Sequence, residues 1–239
     1  IKQVFTGVLA ASAMALLMST SALAVTLNLH NGPDPRTLDP GKASGVWEDR
    51  PISDMIEGLM QVDPKGQPVL AQAESFTVSD DGLVYTFKLR NDTLWSDGTP
   101  VTAKDFVTGM QRLANPATAA EYAYLMSFIK GFPEINSGEQ TDLNTLGVKA
   151  IDDKTVEYTL STQTPYFTAA LTHYTGFPVP SHVVEKAGED WSKVGTIVGN
   201  GPYVVTEWVP GSYLKSVKND KYYDAANVQI DDVMYYILE

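Results

Sequence analysis

The run from Gly82 to Phe106, "GLVYTFKLRNDTLWSDGTPVTAKDF", constrains the fold more than any other part of the sequence. In its first nine residues, apolar side chains alternate with polar ones, which is the pattern of a strand with one buried face. The tight turn predicted after this strand contains Asp97 and Gly98, residue types that favour turns. The alternating apolar positions are Leu83, Tyr85, Phe87 and Leu89.

The second half of this run predicts a helix that begins at Thr102. The threonine hydroxyl can accept from the first-turn amides, and Asp105, three residues later, completes a capping box. Apolar residues at helical spacing then predict a buried stripe, formed by Phe106, Met110 and Leu113. Asp105 therefore has a structural role, and Ser96 and Asp97 supply turn chemistry. We interpret this corner as scaffold rather than as an active site.

Short strands and helices alternate along the rest of the chain. Helical spacing of apolar residues predicts helices at 49–60 and near 165–174, and Ser181 and Gly188 are predicted to cap and to end a third helix. Strands are predicted at 25–30, 82–90 and 231–239, a hairpin at 147–160, and two strands within 202–220. The pattern predicts an α/β fold in which mixed sheets are flanked by helices.

The first 24 residues have the features of a secretory signal peptide. Lys2 precedes a short apolar stretch that ends in "SALA" at Ala24, and this stretch is too short for a membrane anchor. The chain contains no cysteine, which excludes disulfides and thiolate metal sites. A formal net charge of -12 disfavours binding to nucleic acid. We expect an exported, periplasmic protein.

Four segments, in order, resemble the periplasmic solute-binding proteins that serve oligopeptide ABC importers. They are "RTLDPGKASGVWEDRPISDMIEGLM", "AESFTVSDDGLVYTFKLRNDTLWSDGTPVTAKDF", "GVKAIDDKTVEYTLSTQTPYF" and "GNGPYVVTEWVPGSYLKSVKNDKYYD". The resemblance extends from about Leu27 to the end of the sequence. The oligopeptide and murein-peptide receptors resemble this chain more than the dipeptide or nickel receptors do.

The resemblance implies the lobes of a class II periplasmic-binding-protein-like fold. Residues 25–56 and 181–239 would form a discontinuous first lobe, and residues 57–180 an inserted α/β domain. A further lobe that closes over the ligand would lie beyond residue 239, so the chain resembles the N-terminal portion of a longer receptor. At full length, such a receptor is expected to be a monomer.

The resemblance also implies a function and a site. The protein would capture short peptides and deliver them to an inner-membrane ABC permease, with no catalytic residue, cofactor or metal. A strand "ASGV" would contact the peptide backbone through Ser44, Gly45 and Val46, and Tyr122 would line the cleft. Oligopeptide receptors often carry Glu at the position of Ser44, so its absence here would weaken attraction to a peptide's amino terminus.

Three alternatives stay open at the level of sequence. A secreted hydrolase is disfavoured because no histidine lies in a hydrolase motif, although a glycosidase carboxylate pair needs no such motif. The same fold could bind a dipeptide, a metal chelate, haem or an oligosaccharide, and four tryptophans could stack on a sugar: Trp47, Trp95, Trp191 and Trp208. Residues 25–239 alone could also lack any binding activity, because one lobe would be missing.

Overall fold

The computed structural model of the protein describes residues 24–238, so the predicted signal peptide, except for its last residue, lies outside the described range. None of the helices within that range is long and apolar enough to cross a membrane. The elements are β1 (Thr26–Gly32), α1 (Val46–Met55), β2 (Met60–Val62), β3 (Pro68–Leu70), β4 (Ala73–Val78), β5 (Val84–Leu89), α2 (Ala103–Ala114), α3 (Phe132–Asn136), β6 (Val148–Asp152), β7 (Thr155–Thr159), α4 (Phe167–Ala170), α5 (Ser181–Ala187), β8 (Tyr203–Val209), β9 (Tyr213–Lys218) and β10 (Asp232–Ile237).

The first sheet joins the two ends of the described chain. Its strand order is β1-β10-β9-β8. β1 runs parallel to β10, with Leu29 beside Tyr235, whereas β10, β9 and β8 are antiparallel to their neighbours. Helix α1 packs against this sheet, and Tyr235 is fully buried. The predicted mixed sheet with a flanking helix is therefore confirmed.

The second sheet is entirely antiparallel, in the order β4-β5-β7-β6. The predicted alternation in β5 is confirmed, since Tyr85, Phe87 and Leu89 are all buried in the core that also contains the apolar residues of α2. The predicted hairpin at 147–160 is also confirmed, because β6 and β7 pair across a tight connection. A separate two-stranded ribbon, β2 with β3, lies between α1 and this sheet in the chain.

The corner between β5 and α2 is held by a buried carboxylate. Asp105 accepts a hydrogen bond of 2.9 Å from the Thr102 amide, as the predicted capping box requires. The same carboxylate accepts from the Trp95 indole at 3.1 Å and from the amide and hydroxyl of Ser181 at 3.0 and 2.7 Å. Asp105 therefore joins the start of α2 to the start of α5, which agrees with a scaffold role.

Two hydrophobic cores form in the described chain. One gathers buried residues between Leu59 and Leu171, around the second sheet and α2. The other gathers residues from Leu38 to Ile56 together with residues from Tyr174 to Ile237, around the first sheet and α1. The domain limits implied by the resemblance stay a prediction, and the two cores are the packing units from which such domains would be built.

The boundaries of three helices differ from the predictions, and α4 forms only Phe167–Ala170 of the predicted 165–174. Helix α1 begins at Val46 and ends at Met55, and the next residue, Ile56, is extended with φ -122° and ψ 128°. Leu59 therefore lies beyond the helix, and it is buried in the other core. Ser181 is the first residue of α5 rather than its cap, because its amide and hydroxyl are bonded to Asp105. Gly188 ends α5 as predicted.

Candidate ligand-binding site

One cavity, of about 210 Å³, brings together all four residues that the resemblance implied as ligand contacts. The cavity lies where the chain enters α1, and it is also lined by the loop that contains Tyr122 and by the connection after α4. Three of its lining residues were not among the ligand contacts that the resemblance implied. Its lining is formed by Ser44, Gly45, Val46, Asp49, Tyr122, His173 and Tyr174.

Residues 44–46 do not form the predicted strand. Val46 is already the first residue of α1, and only Gly45, the residue before the helix, is described as extended, with φ -128° and ψ 155°. The strand prediction is wrong because the chain turns into a helix here. The extended Gly45, directly before the first residue of α1, takes the place of the predicted strand.

The helix begins at this point because of Glu48, whose side chain is fully buried. Its carboxylate accepts hydrogen bonds from the amides of Ser44 at 2.8 Å and Gly45 at 2.7 Å. It also accepts from the amide of Arg36 at 3.0 Å and from its Nε at 3.3 Å. A Glu three residues after a helix cap is the signal that could have located this arrangement in the sequence.

The hydrogen bonds of Glu48 therefore determine which main-chain groups in the cavity are available to a ligand. The amides of Ser44 and Gly45 are directed to its carboxylate, and the Gly45 carbonyl accepts from the first turn of α1. The carbonyl of Ser44 and the amide of Val46 have no hydrogen-bond partner among residues 24–238. One acceptor and one donor thus flank the extended Gly45.

Arg36 links the two walls of the cavity. Its guanidinium donates to the hydroxyl of Ser44 and, at 3.3 Å, to the carboxylate of Glu121, the residue before Tyr122. Arg36 and Glu121 are separated by 85 positions in the sequence. The sequence reasoning missed Arg36, because neither its spacing nor its neighbours identify it as part of a site.

Aromatic rings form the wall opposite α1. The rings of Tyr122 and Tyr174 lie nearly parallel, with centroids 6.4 Å apart and an angle of 22°. The His173 ring lies 4.0 Å from that of Tyr174. His173 Nδ1 accepts from the Thr175 amide at 3.3 Å, so the proton of the neutral imidazole is on Nε2. Burial lowers the pKa of His173, which favours this neutral form at pH 7.

A larger cavity, of about 480 Å³, adjoins the first and shares Asp49 and His173 with it. Asp54 and Glu57 also line this cavity, and burial raises the pKa of both carboxyl groups. Glu57 accepts from Gln72 at 2.7 Å and from the Tyr222 hydroxyl at 2.9 Å. The Tyr235 hydroxyl donates to Asp54.

Several alternative sites find no support in the described part of the chain. Residues 24–238 contain no group of three His, Cys, Asp or Glu side chains that could hold a metal ion. The three histidines have separate partners: His30 the Leu238 carbonyl, His173 Thr175 and His182 Asp97. Trp95 and Trp191 are fully buried, so the expectation that they could stack on a sugar is wrong.

The sequence matches the family model of bacterial extracellular solute-binding proteins, family 5, over residues 67–239. The chain belongs to this family. It is 43% identical over 212 residues to the periplasmic oligopeptide-binding protein OppA of Escherichia coli, a match that covers 88% of this chain and 39% of OppA. It is 42% identical over 212 residues, with the same coverage, to the probable deoxycholate-binding periplasmic protein YgiS of that species.

This chain has the fold of the family-5 solute-binding proteins. The crystal structure of Haemophilus influenzae OppA in complex with the peptide RPPGFSPFR matches with a TM-score of 0.86 and 34% identity. The match covers 90% of this chain and 42% of that protein. The class II periplasmic-binding-protein-like fold is confirmed, and the chain spans about two fifths of the length of these relatives.

Proposed function

We propose that this protein is an extracytoplasmic, periplasmic receptor that captures short peptides and delivers them to an inner-membrane ABC permease. We also propose that residues 25–56 and 181–239 form a first lobe and that residues 57–180 form an inserted domain. The two separate hydrophobic cores support two units, although Tyr174, Phe177 and Val179, within 57–180, pack in the core of the first lobe. Membership in a family of solute-binding proteins supports binding rather than catalysis, and we assign no catalytic residue.

The observation that carries the proposal is the pair of main-chain groups around Gly45 that have no hydrogen-bond partner within residues 24–238. In a parallel pair of strands, a residue on one strand makes two hydrogen bonds to the other strand. Its amide donates to the carbonyl of the residue that precedes its opposite partner, and its carbonyl accepts from the amide of the residue that follows that partner. The Ser44 carbonyl and the Val46 amide have this arrangement around the extended Gly45. A ligand residue with a peptide backbone can satisfy both groups whatever its side chain, which suits a receptor for many peptides.

A second candidate ligand comes from one of the relatives. YgiS, whose name describes a probable deoxycholate-binding protein, is as similar to this chain as OppA is. A bile acid has an anionic carboxylate and no peptide backbone, so it could not satisfy the groups around Gly45 in the same way. The lining of the cavity includes the carboxylate of Asp49, which favours the peptide.

The decisive variant is Val46→Pro in the full-length protein. Val46 is the first helical residue, where proline is tolerated, and the extended Gly45 suits the position before a proline. The change therefore removes one amide donor and leaves the helix in place. In calorimetry with mixed tri- to pentapeptides, we expect affinity to fall about tenfold.

The matched control is Val46→Ala, which keeps the amide and removes most of an exposed side chain. We expect this variant to bind peptides like the wild type. Absence of heat with every peptide, or tight binding of deoxycholate instead, would refute the proposed ligand class. Equal peptide affinities of Val46→Pro and wild type would refute backbone pairing at Gly45.

A further inference from the structure

The carboxylate of Asp49 is the one charged group shared by the two adjoining cavities. Its Oδ1 accepts from the Ser53 hydroxyl at 2.9 Å, and no ion pair to Asp49 forms among residues 24–238. Glu57, by contrast, is buried, and Asp54 is half-buried; both carboxylates accept hydrogen bonds from tyrosine hydroxyls. Asp49 is therefore the carboxylate in this region that has capacity to bind a ligand group.

The surroundings of Asp49 favour a positive charge. Neither cavity is lined by a lysine or an arginine in the part of the chain that the structure describes. The positive end of α1 lies nearby, but the buried carboxylate of Glu48 accepts its neighbouring amides and offsets it. Arg36, which donates to the hydroxyl of Ser44 in the cavity wall, is paired with Glu48 and Glu121.

The aromatic wall adds a second feature that suits a cation. The nearly parallel rings of Tyr122 and Tyr174 border the same cavity as Asp49, and the faces of such rings attract ammonium and guanidinium groups. His173 stands between the two cavities in its neutral form, so it does not repel a cation. A carboxylate and aromatic rings thus border one small space.

We propose that Asp49, with the rings of Tyr122 and Tyr174, forms a subsite for a lysine or arginine side chain of the bound peptide. The subsite lies beside the residue that pairs with Gly45, and the larger cavity gives a long side chain room to extend. The inference rests on the proposed peptide-binding function and adds a preference among peptides. Asp49 would be a specificity-determining residue of this receptor.

The test is a positional scan with the full-length protein. Tetra-alanine peptides carry Lys, Met or Glu at each position in turn, and calorimetry measures the dissociation constant of each. We expect one position at which the Lys peptide binds about tenfold more tightly than the Met peptide, with the Glu peptide weakest. At that position, Asp49→Asn should reduce the Lys-to-Met ratio to about twofold or less.

Two further variants make the result specific to this carboxylate. Asp49→Glu keeps the charge and should retain most of the preference for Lys. Glu139→Gln removes the same charge from an exposed position elsewhere and should leave the ratio unchanged. A Lys preference that survives Asp49→Asn, or no preference at any position, would overturn the subsite. Failure of every peptide to bind would instead overturn the proposed function.

Discussion

The buried carboxylate of Glu48 accepts a hydrogen bond of 2.7 Å from the amide of Gly45. This contact fixes the residue at the centre of the candidate site in its extended conformation and starts α1 at the next residue. Because the carboxylate also accepts from Ser44 and Arg36, it organises the whole wall of the cavity. The geometry of the site therefore depends on a side chain that is itself inaccessible to a ligand.

Replacement of Glu48 by Gln is expected to destabilise the protein by about 2–3 kcal/mol, because an amide group would face backbone donors inside the protein. Thermal unfolding of the full-length protein measures the effect. Glu121→Gln is the matched control, since the Glu121 side chain is 58% exposed and should contribute within about 0.5 kcal/mol. Equal effects of the two changes would contradict the organising role of Glu48.

Replacement of Gly45 by Ala is expected to weaken peptide binding, because the new Cβ would lie 2.5 Å from Cε2 of Trp47. Relief of this overlap requires the indole or the backbone to move, at a cost of about 1–3 kcal/mol. Titration with a peptide ligand measures the loss. Adding Trp47→Ala to the same protein removes the obstacle and should restore part of the affinity. A Gly45→Ala protein with wild-type affinity would disprove the steric account.

The hydroxyl of Tyr158 is buried and has no hydrogen-bond partner among the described residues. Tyr158→Phe removes an unsatisfied polar group, so we expect stability to rise by up to about 1 kcal/mol. Tyr235→Phe is the contrasting change, because the Tyr235 hydroxyl donates to Asp54 and its loss should destabilise by about 1–2 kcal/mol. Unfolding midpoints of the two variants should therefore shift in opposite directions.

Burial lowers the pKa of His173 in the folded protein. As the pH falls through about 6.5, the ordinary pKa of histidine, the unfolded chain therefore binds more protons than the folded chain. The contribution of His173 to stability is complete above that pH and is lost as the pH falls. The carboxylate of Asp49 opposes this lowering of the pKa, because it favours the charged ring.

His173→Asn keeps an acceptor near the Thr175 amide and removes the titrating ring. We expect thermal stability of this variant to fall less between pH 7 and pH 5 than that of the wild type. His30→Asn, at an exposed position, serves as the control and should retain the wild-type pH dependence. Identical pH dependences for His173→Asn and wild type would contradict this assignment.

Local elements were predictable because their causes lie within a few residues. The alternation of Tyr85, Phe87 and Leu89 predicts a strand face, and Thr102 with Asp105 predicts a helix start. The helix boundary near Leu59 was not predictable in this way. Its side chain has the spacing of α1 but is buried in the other core, and packing outweighs local periodicity.

The candidate site was predictable only in part, and through family resemblance. The resemblance implied Ser44, Gly45, Val46 and Tyr122, which the structure places around one cavity, although their role in binding stays a proposal. It did not identify Arg36, Glu48, Asp49, His173 or Tyr174. Their importance comes from contacts between segments that are distant in the chain.

The sequence by itself determined most of the strands, the start of α2 and the family, because hydrophobic spacing and capping depend on residues only a few positions apart. Only the tertiary structure decided which main-chain groups stay free at Gly45 and which carboxylate faces the cavity. Hydrogen-bond partners and burial follow from how distant segments pack. Arg36 and Glu121, for example, meet across 85 positions, a distance over which no local pattern carries information.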